Sequence, residues 1–357
     1  MKIDWLNNGT RLDDHLQDDR QNNFALIRLI AALIVVKQHS FSSTAANLDD
    51  SIMSTLKLSA LGLPSFFFIS GLLVSESLKK SSSWKNFLWK RFLRLYPAAW
   101  LSILFCALIL GPLVTTWHLK DYFSSGLLYQ FLSTSFLVQV KYNLPGVFEN
   151  SLMGNSSVNA SLWTVCLELK LYIGLLLFWL IKIRGKRYIL ISLIILLFTL
   201  GQIFPYETGK LIYNATGKHL NNIEITCTLI FLTGVLANIY QKKISIKNYW
   251  MLIIPFLLLI IINFQNMRLL VFLFVPLVNL FVATKGISNL KKITPAADLS
   301  YGIYVFAYPI QQVVANYLQP QGTWMFFLES LIIIIPFALF SWYMVEKKAL
   351  NFKKLVA

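Results

Sequence analysis

The chain places ionisable side chains inside long apolar segments, and two of them share one predicted helix face. Arg28 and His39 are eleven residues apart. That spacing is close to three helical turns, so the two side chains lie on one face, about 16 Å apart along the axis. Taken singly, an arginine here indicates an interfacial anchor and a histidine a hydrogen-bonded core residue. Together on one face, and with a second basic pair elsewhere, they favour a functional site over these two structural roles.

The second basic pair is Arg91 and Arg94, which precede another apolar segment. Their i, i+3 spacing puts both guanidinium groups on one side of a helix. Arginine pairs bidentately with phosphate, so the pair suits a phosphorylated ligand. The alternative is simple positive charge at the cytoplasmic side, which we accept for Lys79, Lys80 and Lys85.

Glu168 lies inside a further apolar segment. A buried carboxylate must be paired or protonated, so Glu168 either orients a substrate hydroxyl or pairs with a basic neighbour. Lys170 is not that neighbour, because residues two apart on a helix do not face each other. For Glu76, Asp298 and Glu346, near the predicted cytoplasmic ends, we predict structural pairing with basic loop residues.

Composition indicates an integral membrane protein. Of 357 residues, 56% are hydrophobic and 13% charged, and the mean hydropathy is +0.61. A soluble domain carries about twice that charged fraction. Apolar runs of about 18 residues, each long enough to cross a bilayer, recur throughout. The predicted fold is therefore all-α, a polytopic membrane helix bundle of about ten transmembrane helices at 24–46, 55–78, 95–114, 162–181, 188–205, 223–240, 249–264, 269–284, 299–318 and 324–345.

The basic residues predict how these spans are threaded. With both termini in the cytoplasm, 24 lysines and arginines fall on the cytoplasmic side, 6 on the opposite side and 2 within spans. This is the bias of the positive-inside rule. The formal net charge of +16 therefore indicates topology rather than a nucleic-acid partner. The predicted organisation is a cytoplasmic tail at 1–23, a transmembrane domain at 24–346 and a cytoplasmic tail at 347–357.

One segment does not fit the pattern of spans. Residues 121–140 are apolar enough for an eleventh span, but an extra span would reverse every later loop and destroy the charge bias. We therefore predict that they belong to a long outer loop, with a helix lying in the membrane interface. The three cysteines have the spacing of neither a disulfide framework nor a metal site, and we predict no metal.

These residues resemble the motifs of membrane-bound acyltransferase family 3, whose members O-acetylate bacterial surface polysaccharides. The arginine–ten residues–histidine motif falls on Arg28 and His39, and the arginine–two residues–arginine motif on Arg91 and Arg94. Further similar segments are residues 66–73, the tryptophan–glutamate segment 161–168 and the closing segment 343–348. The resemblance runs from about residue 23 to residue 354. It departs at Ala307, where many members have a histidine, so His39 must act without that second histidine.

The resemblance implies an acyl-coenzyme A donor, with acetyl-CoA as the expected co-substrate, and a multi-pass protein of the bacterial cytoplasmic (inner) membrane. It implies that Arg28, Arg91 and Arg94 bind the donor and that His39 and Glu168 are catalytic. The predicted substrate-binding residues are Trp163 and Tyr304. The implied partners are membrane lipid and a glycan or lipid-linked glycan acceptor.

Two other functions are compatible with a charged bundle. A transporter or flippase for a lipid-linked sugar would explain the buried charges but not the two paired basic motifs. A scaffold of a polysaccharide assembly complex would tolerate substitution of His39.

Overall fold

Helices make up almost the whole fold of this computed structural model. The structure describes residues 9–17, 23–44, 59–181, 188–194, 196, 222–247, 267–284 and 298–353. The helices in these residues are α1 (Leu12–Gln17), α2 (Phe24–Thr44), α3 (Ser59–Lys79), α4 (Trp84–Phe105), α5 (Leu119–Ser124), α6 (Gly126–Leu132), α7 (Leu162–Leu180), α8 (Asn222–Ile239), α9 (Met267–Thr284), α10 (Ser300–Val313), α11 (Thr323–Phe340) and α12 (Lys347–Asn351). Residues 188–194 are also helical.

Several helices continue through turns of different pitch. A wider π-helical turn, Cys106–Leu110, extends α4 and is followed by one α-helical turn, Gly111–Val114. Another π-helical turn extends α10 (Val314–Leu318), and a third joins α11 to α12 (Ser341–Glu346). A 3₁₀ turn, Ser133–Phe136, follows α6. The sheet is one small antiparallel ladder of β1 (Gly9–Arg11) and β2 (Ser245–Lys247), in which Gly9 pairs with Lys247.

The helices coincide with the predicted apolar segments wherever the structure describes them. Eight of the ten segments are helical, 188–205 is described in part, and 249–264 lies outside the described residues. Four helices are long and apolar enough to cross a membrane: Leu61–Lys79, Trp84–Val114, Leu162–Leu180 and Thr323–Asn351. Two shorter apolar helices are Ile223–Ile239 and Phe274–Thr284. In the described part of the chain, these lengths and compositions are those of a helical membrane protein.

The segment 121–140 differs from the expected interfacial helix. Its helices, α5 and α6, have only 6 and 7 residues, and Ser125, in extended backbone between them, ends one and caps the other. Trp100 Nε1 donates to Ser135 O (2.9 Å), whereas Thr116 N donates to Gly146 O (2.9 Å) beyond the end of α4. Because these two contacts are about 24 Å apart along a helix axis, the segment runs back along α4 and returns.

Two compact units divide the chain. The first contains residues 1–31, 55–80 and 174–295, and the second contains 32–54, 81–173 and 296–357. In the first unit, α3 and α8 touch backbone to backbone. A Cβ on Gly71 would lie 2.1 Å from Phe231 O, and one on Gly234 would lie 2.2 Å from Phe68 O. Small residues that allow such contact are a recurrent means of helix association in membranes.

We expect Gly71→Ala and Gly234→Ala to destabilise the first unit, because the added methyl group would meet a carbonyl oxygen of a facing backbone that has no side-chain freedom to move away. Overpacking of this kind typically costs about 1–3 kcal/mol. The apparent Tm in detergent should fall for both variants. Gly174→Ala is the matched control, since nothing lies within 4 Å of a Cβ at that helical position. Equal Tm values for all three variants would contradict the backbone contact.

In the second unit, α10 is the enclosed helix. Every residue from Ser300 to Gln312 is buried. A helix that is apolar and covered on all sides is surrounded by protein rather than by lipid. By contrast, α11 leaves large apolar side chains exposed, with Ile332 at 72%. The side chains that face α10 therefore lie in the protein interior of this unit.

Candidate active site

Three tyrosines form one face of α10. Tyr301, Tyr304 and Tyr308 occupy positions i, i+3 and i+7, which place them in one row along a helix. We call this row the tyrosine face. Each tyrosine contacts a predicted site residue or the residue next to one in sequence. The tyrosine face therefore gives the order in which the predicted site residues lie along α10.

Arg94 lies at the beginning of α10. Its Nη2 donates to Asp298 Oδ2 at 2.9 Å, and both side chains are mostly buried, with exposures of 17% and 16%. Ser300 Oγ donates to the other oxygen of Asp298 at 2.6 Å. The guanidinium carbon of Arg94 is 5.7 Å from the centre of the Tyr301 ring. These contacts confirm the predicted pairing of Asp298 with a basic residue, and that residue is one of the two assigned to phosphate.

Arg91 and Glu168 are brought together through Tyr172. The Tyr172 hydroxyl donates to Glu168 Oε1. The Arg91 guanidinium carbon is 5.8 Å from the centre of the Tyr172 ring. The carboxylate of Glu168 interacts electrostatically with both Arg91 and Arg94. Glu168 therefore accepts a hydrogen bond from Tyr172 and lies close enough to the arginine pair to interact with its charge, as the predicted alternative of a basic neighbour requires.

Tyr304, in the middle of the tyrosine face, contacts α7. Its hydroxyl is 2.6 Å from Thr164 Oγ1, and both residues are buried. Trp163 precedes Thr164 and is half-buried. The two predicted substrate-binding residues, Trp163 and Tyr304, thus lie at one level of the second unit, with the Tyr304 hydroxyl held by a neighbouring helix.

His39 lies against the far part of the tyrosine face. Its ring meets Tyr308 edge to face, with ring centres 5.2 Å apart and planes at 84°. The imidazole also interacts with the side chain of Gln311. Gln311 is fully buried and donates to Val36 O (2.8 Å) and Ser40 Oγ (3.0 Å) on either side of His39. The carboxamide therefore fixes α10 against the turn of α2 that carries the imidazole.

The tyrosine face thus links the arginine pair to the histidine. Tyr301 and Tyr308 are seven residues apart, which is about 10 Å along a helix axis. Six of the seven predicted site residues belong to the second unit; Arg28 belongs to the first. Arg28 and His39 lie on the same helix, α2, as the sequence predicts.

A polar network replaces one missing backbone hydrogen bond of α10. Pro309 has no N–H, so the carbonyl of Val305, four residues earlier, lacks its helical donor. Ser102 Oγ (2.8 Å) and Asn159 Nδ2 (2.9 Å) donate to Val305 O instead. Asn159 Nδ2 also donates to Ser102 Oγ at 3.0 Å. The network therefore attaches the proline-containing helix to α4 and to the residues before α7.

We expect Asn159→Ala to lower the apparent Tm, because it removes a buried donor, at a cost of about 1–3 kcal/mol. Pro309→Ala supplies an N–H that can reach Val305 O. The double variant should therefore lose less stability than the sum of the two single losses, as measured by thermal unfolding in detergent. Additive losses would contradict this account of the Val305 carbonyl.

Sequence reasoning did not identify Tyr308, Gln311, Tyr172 or Asn159 as parts of the site. Tyr308 and Gln311 could have been found, because polar side chains at helical spacing inside an apolar segment indicate an interior face. Tyr172, four residues after Glu168 in an apolar segment, carried the same signal, whereas Asn159, which precedes that segment, did not. Lys37, also inside a predicted span, is buried with its Nζ 3.8 Å from the centre of the Trp324 ring.

Long apolar helices around a buried row of arginine, carboxylate, tyrosine and histidine side chains define an integral membrane protein with an internal polar site. The sequence profile of the acyltransferase 3 family, described as an acyltransferase domain, matches residues 21–346. The chain therefore belongs to the acyltransferase 3 family, and it is a membrane-bound O-acyltransferase.

Two characterised relatives are similar along nearly their whole length. An "O-acetyl transferase" of Shigella phage Sf6 is 26% identical over 342 residues, which are 93% of this chain and 97% of the relative. "Nodulation protein 10" of Rhizobium leguminosarum bv. viciae is 26% identical over 356 residues, 93% of this chain and 94% of the relative. No solved structure matches the chain.

Proposed function

We propose that this enzyme transfers an acetyl group from cytoplasmic acetyl-CoA to a hydroxyl group of an extracytoplasmic glycan. The observation that carries the proposal is the tyrosine face, which contacts Arg94 at Tyr301 and His39 at Tyr308. These two tyrosines are about 10 Å apart along the helix axis. The extended pantetheine arm of coenzyme A can cover that distance. The name of the phage relative supports acetyl as the acyl group.

The donor phosphates bind at Arg91 and Arg94 of α4. Arginine presents five N–H donors in a planar fork, and Asp298 accepts from the Nη2 group of Arg94. Asp298 therefore holds the guanidinium in a fixed orientation while other donors remain for a phosphate. The negative charge of Glu168 and Asp298 limits the accumulation of positive charge when no donor is bound.

His39 acts as the general base in the transfer step. Its neutral imidazole takes the proton of the acceptor hydroxyl while the hydroxyl oxygen attacks the thioester carbonyl carbon. The carbon–sulfur bond breaks, and the imidazolium of His39 gives that proton to the leaving thiolate of coenzyme A, so the base returns to its neutral form. The products are an O-acetyl ester and coenzyme A. An acyl-histidine intermediate is the competing route, in which the imidazole is acylated before the acceptor attacks.

The proposed membrane arrangement has about ten spans in the bacterial cytoplasmic membrane, with both termini in the cytoplasm. The distribution of lysine and arginine supports it. The beginning of α10, with Arg94, then faces the cytoplasm, and the loop between α4 and α7 lies outside. Reporter fusions after residues 150 and 243 should report opposite sides of the membrane.

The test is transfer by the purified protein in detergent. Acetyl-CoA labelled in the acetyl group is incubated with polysaccharide extracted from cells that lack this gene. Label should appear in the polysaccharide as a base-labile ester and be absent when the protein is omitted. No labelling with this acceptor would contradict the proposal.

A further inference from the structure

The loop before α7 is attached to the far end of α10 by uncharged side chains. Ser151 Oγ donates to Gln312 Oε1 (2.5 Å), and Gln312 Nε2 donates to Asn155 O (3.1 Å) and Ser157 O (2.8 Å). Leu152 N donates to Asn316 Oδ1 (3.1 Å). These bonds cover one turn of helix beyond Tyr308, so the loop segment 151–157 lies next to the part of the tyrosine face that contacts His39.

Asn155 of this loop is held by its side-chain oxygen, whereas the side-chain oxygen of Asn143 makes one long contact. Tyr308 Oη (2.9 Å) and Ser157 N (3.0 Å) both donate to Asn155 Oδ1. Ser156 Oγ donates to Asn143 Oδ1 at 3.5 Å, and Val158 N donates to Tyr142 O at 2.8 Å, which keeps the two stretches of loop side by side. Because a backbone N–H can only donate, the oxygen of Asn155 is the bonded atom and its NH₂ group is turned outward.

The NH₂ groups of Asn143 and Asn155 have no hydrogen-bond acceptor among the described residues, and both side chains are exposed. An amide donor whose orientation is fixed in advance, as that of Asn155 is by Ser157 N, loses little entropy when a ligand binds. The side chains that hold them carry no charge, which suits a neutral ligand rich in hydroxyl groups. Tyr308 connects these donors to the base, because its hydroxyl bonds Asn155 and its ring contacts His39.

We propose that the NH₂ groups of Asn143 and Asn155 bind hydroxyl or ring oxygens of the acceptor sugar and hold it beside His39. The proposal deepens the proposed function and rests on it. The asparagines determine binding of the acceptor rather than of the donor, since the arginine pair lies at the opposite end of the tyrosine face.

The experiment measures initial rates in detergent against the concentration of polysaccharide extracted from cells that lack this gene, at saturating labelled acetyl-CoA. Asn143→Ala and Asn155→Ala should each raise the acceptor KM by about tenfold, as expected for the loss of one hydrogen bond, and leave the KM for acetyl-CoA unchanged. Asn143→Asp and Asn155→Asp keep the anchored oxygen and the size of the side chain but lose the donor, so they should show the same rise. Gln139→Ala, an exposed residue of the same loop, should match the wild type.

The possible outcomes separate the two proposals. If the wild-type protein fails to label the polysaccharide, the proposed function is wrong. If the wild type is active and the asparagine variants keep its acceptor KM, the subsite is wrong. A loss confined to kcat would also overturn the subsite, because it would indicate that the loop only supports α10.

Discussion

Replacement of His39 by glutamine should lower the rate of acyl transfer by about 10²–10⁴ at saturating donor and acceptor, the range of a lost general base. Glutamine retains a polar side chain of similar reach, which can still approach Gln311, so the packing between α2 and α10 should persist. The carboxamide cannot accept a proton at neutral pH, and this is the physical reason for the loss. The measurement is incorporation of labelled acetyl into extracted polysaccharide.

The control is the exposed histidine His118, which precedes α5 outside the tyrosine face. His118→Ala should transfer acetyl at the wild-type rate, and both variants should elute from size-exclusion chromatography as the wild type does. Near-normal activity of His39→Gln would refute the catalytic assignment. Rapid denaturation at neutral pH of wild-type protein incubated with labelled donor and no acceptor separates the two routes, because only an acyl-histidine leaves label on the protein.

Replacement of Arg94 by lysine should raise the KM for acetyl-CoA by about 10- to 100-fold, since a charge-assisted hydrogen bond contributes about 1.5–3 kcal/mol. Lysine keeps the positive charge that Asp298 requires, so the buried carboxylate remains compensated. It loses the planar fork that binds phosphate and aspartate at the same time. The KM for the polysaccharide should stay unchanged. Initial rates at varied acetyl-CoA concentration measure the effect.

Asp298→Asn distinguishes donor binding from a purely structural ion pair. If Arg94 binds phosphate, removal of the competing carboxylate leaves the KM for acetyl-CoA equal to or below the wild-type value. If Arg94 serves only Asp298, both variants lower the apparent Tm and neither changes the donor KM. The second pattern would assign Arg94 to the fold, as in many buried pairs whose disruption destabilises a protein.

The apolar segments of the sequence correctly predicted where the described helices lie. The apolar segments became helices wherever the structure describes them, because a backbone in an apolar environment must satisfy its own hydrogen bonds. For 121–140 the structure shows two short helices, of 6 and 7 residues, in place of one interfacial helix. The segment runs back along α4, and this path depends on the contacts of Trp100 and Thr116 rather than on its own sequence.

The sequence by itself determined the helical membrane class and the family. It also identified the ionisable residues inside apolar segments, because each such residue has an energetic cost in a bilayer that can be recognised from the sequence alone. Only the tertiary structure decided the partners. Arg94 meets Asp298 across 204 residues and His39 meets Tyr308 across a comparable stretch of chain, and no local pattern specifies such contacts. They arise because α10 is enclosed by protein, so its polar groups must find partners on neighbouring helices.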